Sequence, residues 1–147
     1  MSNKFITKVN PKNSIIYSDL SSKIIERFEH SVGMLYFLED AVVSEIHDGE
    51  HLNIDNSKLL IDAINLYFRE DPYGYISNRV NDFSVSPLDL HYFKEKLKSA
   101  RSYCTVTYNS YKRNAIKIEE LFFKTNKKDF DSLTEAYNWT KSQCVLK

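Results

Sequence analysis

Residues 73–87 read YGYISNRVNDFSVSP, and this stretch decides the fold. Its first half is rich in aromatic and β-branched residues, which favour a strand. Ser86 and Pro87 then supply the N-cap and the first-turn proline of a helix. The polar residues in between predict a loop that joins the carboxyl end of a strand to the start of a helix. In α/β domains, ligands commonly bind at such a loop.

Upstream of this stretch the pattern indicates an antiparallel meander. Three short runs with β-branched or aromatic residues occupy 24–28, 33–38 and 41–47. Glu39-Asp40 and Asp48-Gly49 supply the turns that follow the second and third runs. We therefore predict three sequential strands before the first helix.

The spacing of apolar residues then changes to that of a helix. From residue 57 to residue 70 apolar side chains recur at i, i+3 and i+4. They are Leu60, Ala63, Ile64, Tyr67 and Phe68. Asp55 or Asn56 is the predicted N-cap, and Asp71-Pro72 ends the helix. A strand over 73–80 follows, and the helix that begins at Ser86 is expected to bury Leu90, Phe93 and Leu97.

The last third of the chain predicts two further strand and helix pairs. The run 103–108 (YCTVTY) is the clearest strand, and Asn109 or Ser110 can cap a helix to about Glu120. Residues 121–123 are a candidate last strand. A capping box at 132–135 then opens the final helix. The order β-β-β-α-β-α-β-α-β-α predicts a mixed sheet with parallel crossovers.

Length and composition predict one α/β domain. The chain has 147 residues, of which 42% are hydrophobic, enough for one sizeable core. We expect a flexible N-terminal arm over 1–21, the domain over 22–143 and a C-terminal tail over 144–147. The 20 basic residues balance the 20 acidic residues, which disfavours nucleic-acid binding. No apolar run approaches the roughly 20 residues of a transmembrane span, so we predict a cytoplasmic protein.

The sequence offers no catalytic constellation. Cys104 and Cys144 lack a CxxC partner or a nearby histidine and are expected to be free thiols. The three glycines form neither a GxGxxG nor a Walker pattern, and no GxSxG elbow occurs. Glu119 and Glu120 are adjacent on a predicted helix and do not face each other. We therefore predict a protein that is not an enzyme and needs no cofactor.

Residues 47–51 (HDGEH) have the composition of a metal site. Two histidines four residues apart can share a metal when they lie on one helix. Asp48-Gly49 predicts a turn instead, so the geometry is not preset. We predict no metal site here.

The loop after residue 77 carries the candidate binding residues: Asn78, Arg79, Asn81, Ser84 and Ser86. If these side chains converge at the helix N-terminus, their donors would favour an anion. The alternative is structural. In that interpretation Ser86 is only an N-cap, Asn81-Asp82 is only a turn, and Arg79 lies on the surface.

The element order and three segments carry a resemblance to a known family. The segments are SNRVNDFSVSP, YCTVTYNS and ELFFKTNKKDFDSLTEAYNW, the last with Phe130, Leu133, Ala136 and Trp139 at regular spacing. Together they resemble the SpoIIAA-like branch of the STAS superfamily, especially small stand-alone proteins of Bacteroidetes-class bacteria. The resemblance implies a mixed sheet of four to five strands flanked by about four helices, usually without catalytic activity.

The same resemblance implies a function. In anti-sigma-factor antagonists of this superfamily a serine or threonine at this helix start is phosphorylated, which singles out Ser84 and Ser86 for modification. The Asp-x-Ser-Gly-like signature of those antagonists is absent, and Phe83 and Val85 occupy the loop instead. We predict a regulatory or protein-interaction module that contacts a protein partner through 78–86.

A second function stays open at this point. SpoIIAA-like proteins are also compared with lipid-carrying domains of the CRAL-TRIO type. The alternative is therefore a domain that binds a small apolar ligand or a lipid in an aromatic-lined pocket. Strand 103–108 and the aromatic hairpin are also compatible with a homodimer.

Overall fold

A computed structural model describes residues 11–109 and 126–145. Within those residues the strands are β1 (Glu26–His30), β2 (Gly33–Phe37), β3 (Ala41–Ile46), β4 (His51–Leu52), β5 (Tyr73–Arg79), β6 (Ser84–Val85), β7 (Ala100–Thr107) and β8 (Lys127–Phe130). The α-helices are α1 (Ile54–Phe68), α2 (Leu90–Lys96) and α3 (Leu133–Val145). Short 3-10 helices occupy Ile15–Tyr17, Asp19–Lys23 and Pro87–Asp89.

The main sheet is mixed and has six strands in the order β1-β2-β3-β5-β7-β8. Strands β1, β2 and β3 form the predicted antiparallel meander, and β3, β5, β7 and β8 run parallel. The α/β class and the mixed sheet are thus confirmed. The predicted number of strands, four to five, was too low. The difference includes β8, whose sequence KKDF lacks the apolar alternation of a strand. The predicted helix over 109–120 and strand over 121–123 lie outside the described residues, apart from Asn109.

The sheet separates two hydrophobic cores. Helices α1 and α2 cover one face, where Leu60, Ile64 and Phe68 pack against strand residues such as Phe37 and Tyr73. Helix α3 covers the other face, where Ala136 joins a cluster that also contains buried residues of β3, β5 and β7. A strand that is covered on both sides carries no exposed face, which explains why β3 is buried along its whole length.

Helix α1 begins earlier than the sequence pattern predicts. Asn53 is the N-cap, and its side chain accepts a hydrogen bond from the backbone N–H of Asn56 at 3.0 Å. The Asn56 side chain accepts one in return from the Asn53 N–H at 2.9 Å. This reciprocal pair moves the helix start from the predicted residue 57 to Ile54. The capping box here is Asn-x-x-Asn, in which Asn56 occupies the position usually held by glutamate or glutamine.

The N-terminal segment is part of the core. Residues 1–10 of the predicted flexible arm lie outside the described residues, but residues 11–21 pack on the sheet. Ile15 is completely buried, and its backbone N–H donates to Glu45 Oε2 at 2.7 Å. The Ser14 hydroxyl donates to the other carboxylate oxygen at 2.6 Å. The domain therefore extends upstream of the predicted boundary at residue 22.

The final helix also extends past its predicted end. Cys144 and Val145, which were assigned to a tail, form the last two residues of α3. The predicted start is present, because Ser132 Oγ accepts a hydrogen bond from the Glu135 N–H at 3.3 Å. The centres of the Phe130 and Trp139 rings lie 5.8 Å apart, so Phe130 of β8 packs against α3. No helix within 11–109 or 126–145 is long and apolar enough to cross a membrane.

Gly74 allows α3 to approach β5 closely. A Cβ atom at Gly74 would collide with the Thr140 methyl group and lie 2.6 Å from Ser102 Oγ.

We expect Gly74→Ala to lower the free energy of unfolding by about 2 kcal/mol through overpacking. Thr140→Ser removes the methyl group and keeps the hydroxyl that donates to the Ala136 carbonyl at 2.8 Å. Urea denaturation should therefore show that Gly74→Ala lowers the free energy of unfolding by less in the Thr140→Ser variant than in the wild type. Equal decreases in the two would contradict this packing.

Candidate functional site

A cavity of about 80 Å³ lies between the main sheet and helices α1 and α2. Its helical wall is mainly apolar, although Ser57 of α1 also lines it. Leu60, Ile61 and Ile64 reach it from α1, and Leu90 and Phe93 reach it from α2. These residues belong to the inward stripe of each helix, so the same spacing that forms the core also forms this wall.

The opposite wall is the sheet, and it is polar toward the carboxyl ends of the strands. Tyr75, Ser77 and Arg79 alternate along β5 and so share one face. Thr105 of β7 and Lys127 of β8 continue this wall across the sheet. The cavity thus has an apolar side and a side with hydroxyl groups and two cations.

The two cations are held in place by neighbours. Arg79 Nε donates to Ser77 Oγ at 2.7 Å, and the guanidinium carbon lies 4.7 Å from the centre of the Phe83 ring. Lys127 Nζ donates to Thr105 Oγ1 at 3.0 Å and to Asp129 Oδ1 at 2.9 Å. Only 7% of the Lys127 side chain is exposed. These contacts fix both cations beside the cavity.

A two-residue strand pair, β4 with β6, covers part of the cavity. We call it the β4–β6 clip. Its inner residues, Leu52 and Val85, line the cavity and lie opposite each other in register. Its outer residues, His51 and Ser84, are joined by a hydrogen bond of 2.6 Å between Nδ1 and Oγ. The loop that the sequence singles out therefore forms a cover as well as a helix start.

Asn78 is separated from the other predicted site residues. It is fully buried on the face opposite the cavity. Its Nδ2 donates to Glu45 Oε2 at 2.9 Å, and its Oδ1 accepts from the Tyr108 hydroxyl at 2.5 Å. Burial raises the pKa of Tyr108, so this phenol stays protonated and donates. Asn78 therefore connects the sheet to the buried Glu45 carboxylate, and Arg79, its neighbour, faces the cavity.

The remaining predicted residues have separate positions. Asn81 Nδ2 donates to the Ile46 carbonyl at 2.9 Å and ties the loop to β3. Ser84 is exposed and belongs to the clip, as described above. Ser86 precedes the 3-10 helix Pro87–Asp89 but makes no side-chain capping bond. Of the five predicted residues, Arg79 is the one that lines the cavity.

The cavity holds groups that remain protonated at neutral pH. Tyr103 lines it, and burial raises the pKa of its phenol to about 12. Cys104 is also at its edge, and burial raises the pKa of that thiol to about 12. Its Sγ lies 3.2 Å from Thr140 Oγ1, on the α3 side. Neither residue supplies a thiolate or phenolate nucleophile near pH 7.

The histidine-rich turn does not gather metal ligands. Within the described ranges, no group of three or more His, Cys, Asp or Glu side chains is arranged to hold a metal ion. His51 instead contacts Ser84. Cys104 and Cys144 are free thiols.

Sequence reasoning missed Lys127 as a site residue. It is the first residue of KKDF, and charged residues in a row are typical of a solvated loop. Its role depends on parallel pairing with β7, which sets Tyr103 opposite Lys127. No local signal indicates that pairing. The alternation of Ser77 and Arg79 on a predicted strand, in contrast, could have placed both on one face.

Comparison with known proteins adds no relative. No protein-family model, curated protein or solved structure matches this chain significantly. The resemblance to the SpoIIAA-like branch of the STAS superfamily therefore stays a prediction.

The position of Asn78 predicts a structural role. Asn78→Ala would remove a donor from the buried Glu45 carboxylate and an acceptor from Tyr108. We expect a loss of about 2 kcal/mol in the free energy of unfolding, since hydrogen bonds to charged groups contribute about 1.5–3 kcal/mol. Ser86→Ala is the control and should change stability by less than about 0.5 kcal/mol, because Ser86 has no side-chain capping bond to lose. Urea denaturation measures both, and equal stability of the two variants would contradict this assignment.

Proposed function

We propose that the protein binds a small, mainly apolar molecule in the cavity between the sheet and helices α1 and α2. The observation that carries this proposal is the cavity itself, with its apolar helical wall and four aromatic side chains. These are Tyr75, Phe83, Phe93 and Tyr103. Ligand pockets are commonly concave and mostly apolar, with a few polar groups that fix orientation.

The size of the cavity limits the ligand. At about 80 Å³ it is smaller than the roughly 300–1,000 Å³ of sites that hold drug-sized molecules. A diacyl lipid would not fit. A single ring or a short branched chain suits these dimensions, and we favour that class over a lipid.

The chemistry of the walls favours binding over catalysis. The Tyr103 phenol and the Cys104 thiol keep their protons at neutral pH, and the Lys127 ammonium donates a hydrogen bond to Asp129. Helices α1 and α2 present mainly apolar side chains, aliphatic ones together with Phe93, which provide contact area without reactive groups. We infer that the cavity recognises a molecule and does not transform it.

A regulatory protein interaction is the second candidate. Leu88 is 80% exposed and lies two residues after Ser86, next to the predicted loop. A partner that covers this leucine would contact the clip and so could respond to what the cavity holds. Cross-linking with a defined candidate partner should then be lost in Leu88→Glu and kept in Val85→Phe.

The ligand-binding proposal is tested by filling the cavity. Val85→Phe places a larger side chain on the inner side of the clip, whereas Leu88→Phe adds similar apolar area to an exposed position. Saturation-transfer NMR with toluene as the probe should show binding to the wild type and to Leu88→Phe. We expect binding to fall at least about tenfold in Val85→Phe, because the space is taken. Native mass spectrometry of the freshly purified protein should show a retained small molecule.

Circular dichroism must first show that both variants fold. Binding of toluene that is unchanged in a folded Val85→Phe variant would overturn the proposal, since the probe would then lie elsewhere.

A further inference from the structure

Strand β1 forms one edge of the main sheet. In the described part of the chain it has a strand neighbour on one side only, which is β2. In an antiparallel pair, alternate residues direct their backbone N–H and C=O groups away from the partner. The outer side of β1 therefore offers a row of backbone groups to which a further strand can bond.

Several features that commonly protect such an edge are absent from β1. Proteins often block an edge with proline, lysine or a β-bulge. The strand, ERFEH over 26–30, contains neither proline nor lysine, and its five pairs with β2 run without a register shift. Ile25, which directly precedes the strand, is 60% exposed. Charged side chains can also protect an edge, so what remains decisive is whether an approaching strand matches the charges of β1.

A second copy of β1 in antiparallel orientation matches these charges. When two copies pair about Phe28, Arg27 of each copy lies opposite Glu29 of the other, and Glu26 lies opposite His30. Opposite charges directly across a strand pair are stabilising, whereas like charges are destabilising. The strand is therefore self-complementary.

The same charges disfavour the neighbouring registers. Because the outward-facing backbone groups alternate along β1, the register between two copies changes in steps of two residues. One step places Arg27 opposite Arg27 of the second copy, and the opposite step places Glu29 opposite Glu29. Each of these registers brings like charges together, so the register centred on Phe28 is favoured.

The charged groups of β1 are not used in ion pairs within the chain. Arg27 and Glu29 are exposed, and neither takes part in a salt bridge among the described residues. The Arg27 guanidinium carbon lies 5.7 Å from the centre of the Tyr36 ring, a contact that positions the charge without neutralising it. His30 Nδ1 accepts the Val32 N–H at 3.2 Å, which leaves Nε2 to donate to a carboxylate.

We propose that the protein forms a homodimer in which β1 pairs antiparallel with β1 of a second copy, about a two-fold axis at Phe28. This pairing joins two six-stranded sheets into one. The axis repeats each charged pair, and it brings together two Phe28 side chains that are half-buried against the core on the α1 side. No residue of β1 lines the cavity, so this inference does not depend on the proposed ligand.

The test reverses the charges. Arg27→Glu would set carboxylate against carboxylate, and Glu29→Arg would set guanidinium against guanidinium. We expect each variant to raise the dissociation constant of the dimer at least about tenfold, because attraction becomes repulsion twice in each dimer. A small interface is typical of weak association, so sedimentation equilibrium should cover about 10 µM to about 1 mM, over which the wild type should approach twice its chain mass.

Two further samples separate charge matching from damage to the fold. The double variant Arg27→Glu/Glu29→Arg exchanges the two charges and should dimerise as the wild type does. A mixture of the two single variants should form a mixed dimer, which native mass spectrometry detects when one variant is labelled with ¹⁵N. Lys128→Glu is the matched control, because it changes the net charge as Arg27→Glu does but lies exposed on β8, at the other end of the strand order. It should leave dimerisation unchanged.

The inference is overturned if the wild type stays monomeric at the highest concentration, or if folded Arg27→Glu and Glu29→Arg variants dimerise like the wild type. It is also overturned if neither the double variant nor the mixture restores dimers, or if Lys128→Glu alone abolishes them, since the contact would then involve β8. Circular dichroism checks that each variant folds. Where a single variant does not fold, Arg27→Gln replaces it and should raise the dissociation constant at least about threefold.

Discussion

The burial of β5 on both faces is the constraint around which the structure is organised. Tyr73 and Ile76 are both fully buried, although they point to opposite sides of the sheet. An interior strand of this kind is usually a run of apolar residues. Here its second half is polar, and each polar side chain must find a partner without water. The partners differ on the two faces. Asn78 bonds to Glu45 on one face, whereas Ser77 and Arg79 line the cavity on the other.

On the α3 side the constraint is met by a closed network. Asn78 takes its place between Glu45 and Tyr108, and the Glu45 carboxylate also binds the N-terminal segment. Burial of a carboxylate is costly, but hydrogen bonds from Ser14, Ile15 and Asn78 compensate the cost at Glu45. The N-terminal segment is therefore ordered by a charge located about 30 residues further along the chain. On the cavity side, Arg79 and Lys127 instead line a space between the sheet and the helices.

Periodicity and capping chemistry predicted much of the fold. The meander, α1, β5 and β7 follow from alternation or from the i, i+3, i+4 spacing, which is a property of contiguous residues. The missed elements depend on distant partners. Strand β8 exists because β7 pairs with it, and the order of residues 11–21 depends on Glu45. The candidate site residues were predicted from their amino-acid types, as polar side chains that can bind an anion. Because type does not reveal which face a side chain takes, Asn78 and Arg79 were grouped although they diverge.

The position of the loop after β5 was predicted from the sequence, but its contacts were predicted only in part. Its place between a strand and a helix start was predicted, and the structure has it there. The pairing of Ser84 with His51 was not predicted, because β4 contributes only two residues and its sequence is dominated by a turn. Short parallel pairs of this sort leave no period in the sequence.

The β4–β6 clip also has a kinetic consequence. Its ladder pairs two residues of each strand, whereas the ladder between β5 and β7 in the sheet beneath pairs seven. Local opening costs less free energy where fewer bonds and contacts are lost, so the clip should separate far more often than the sheet does. A molecule that enters beneath Val85 would pass during such a separation. Association by that route would level off as the concentration of the molecule rises, because the opening of the clip would limit its rate.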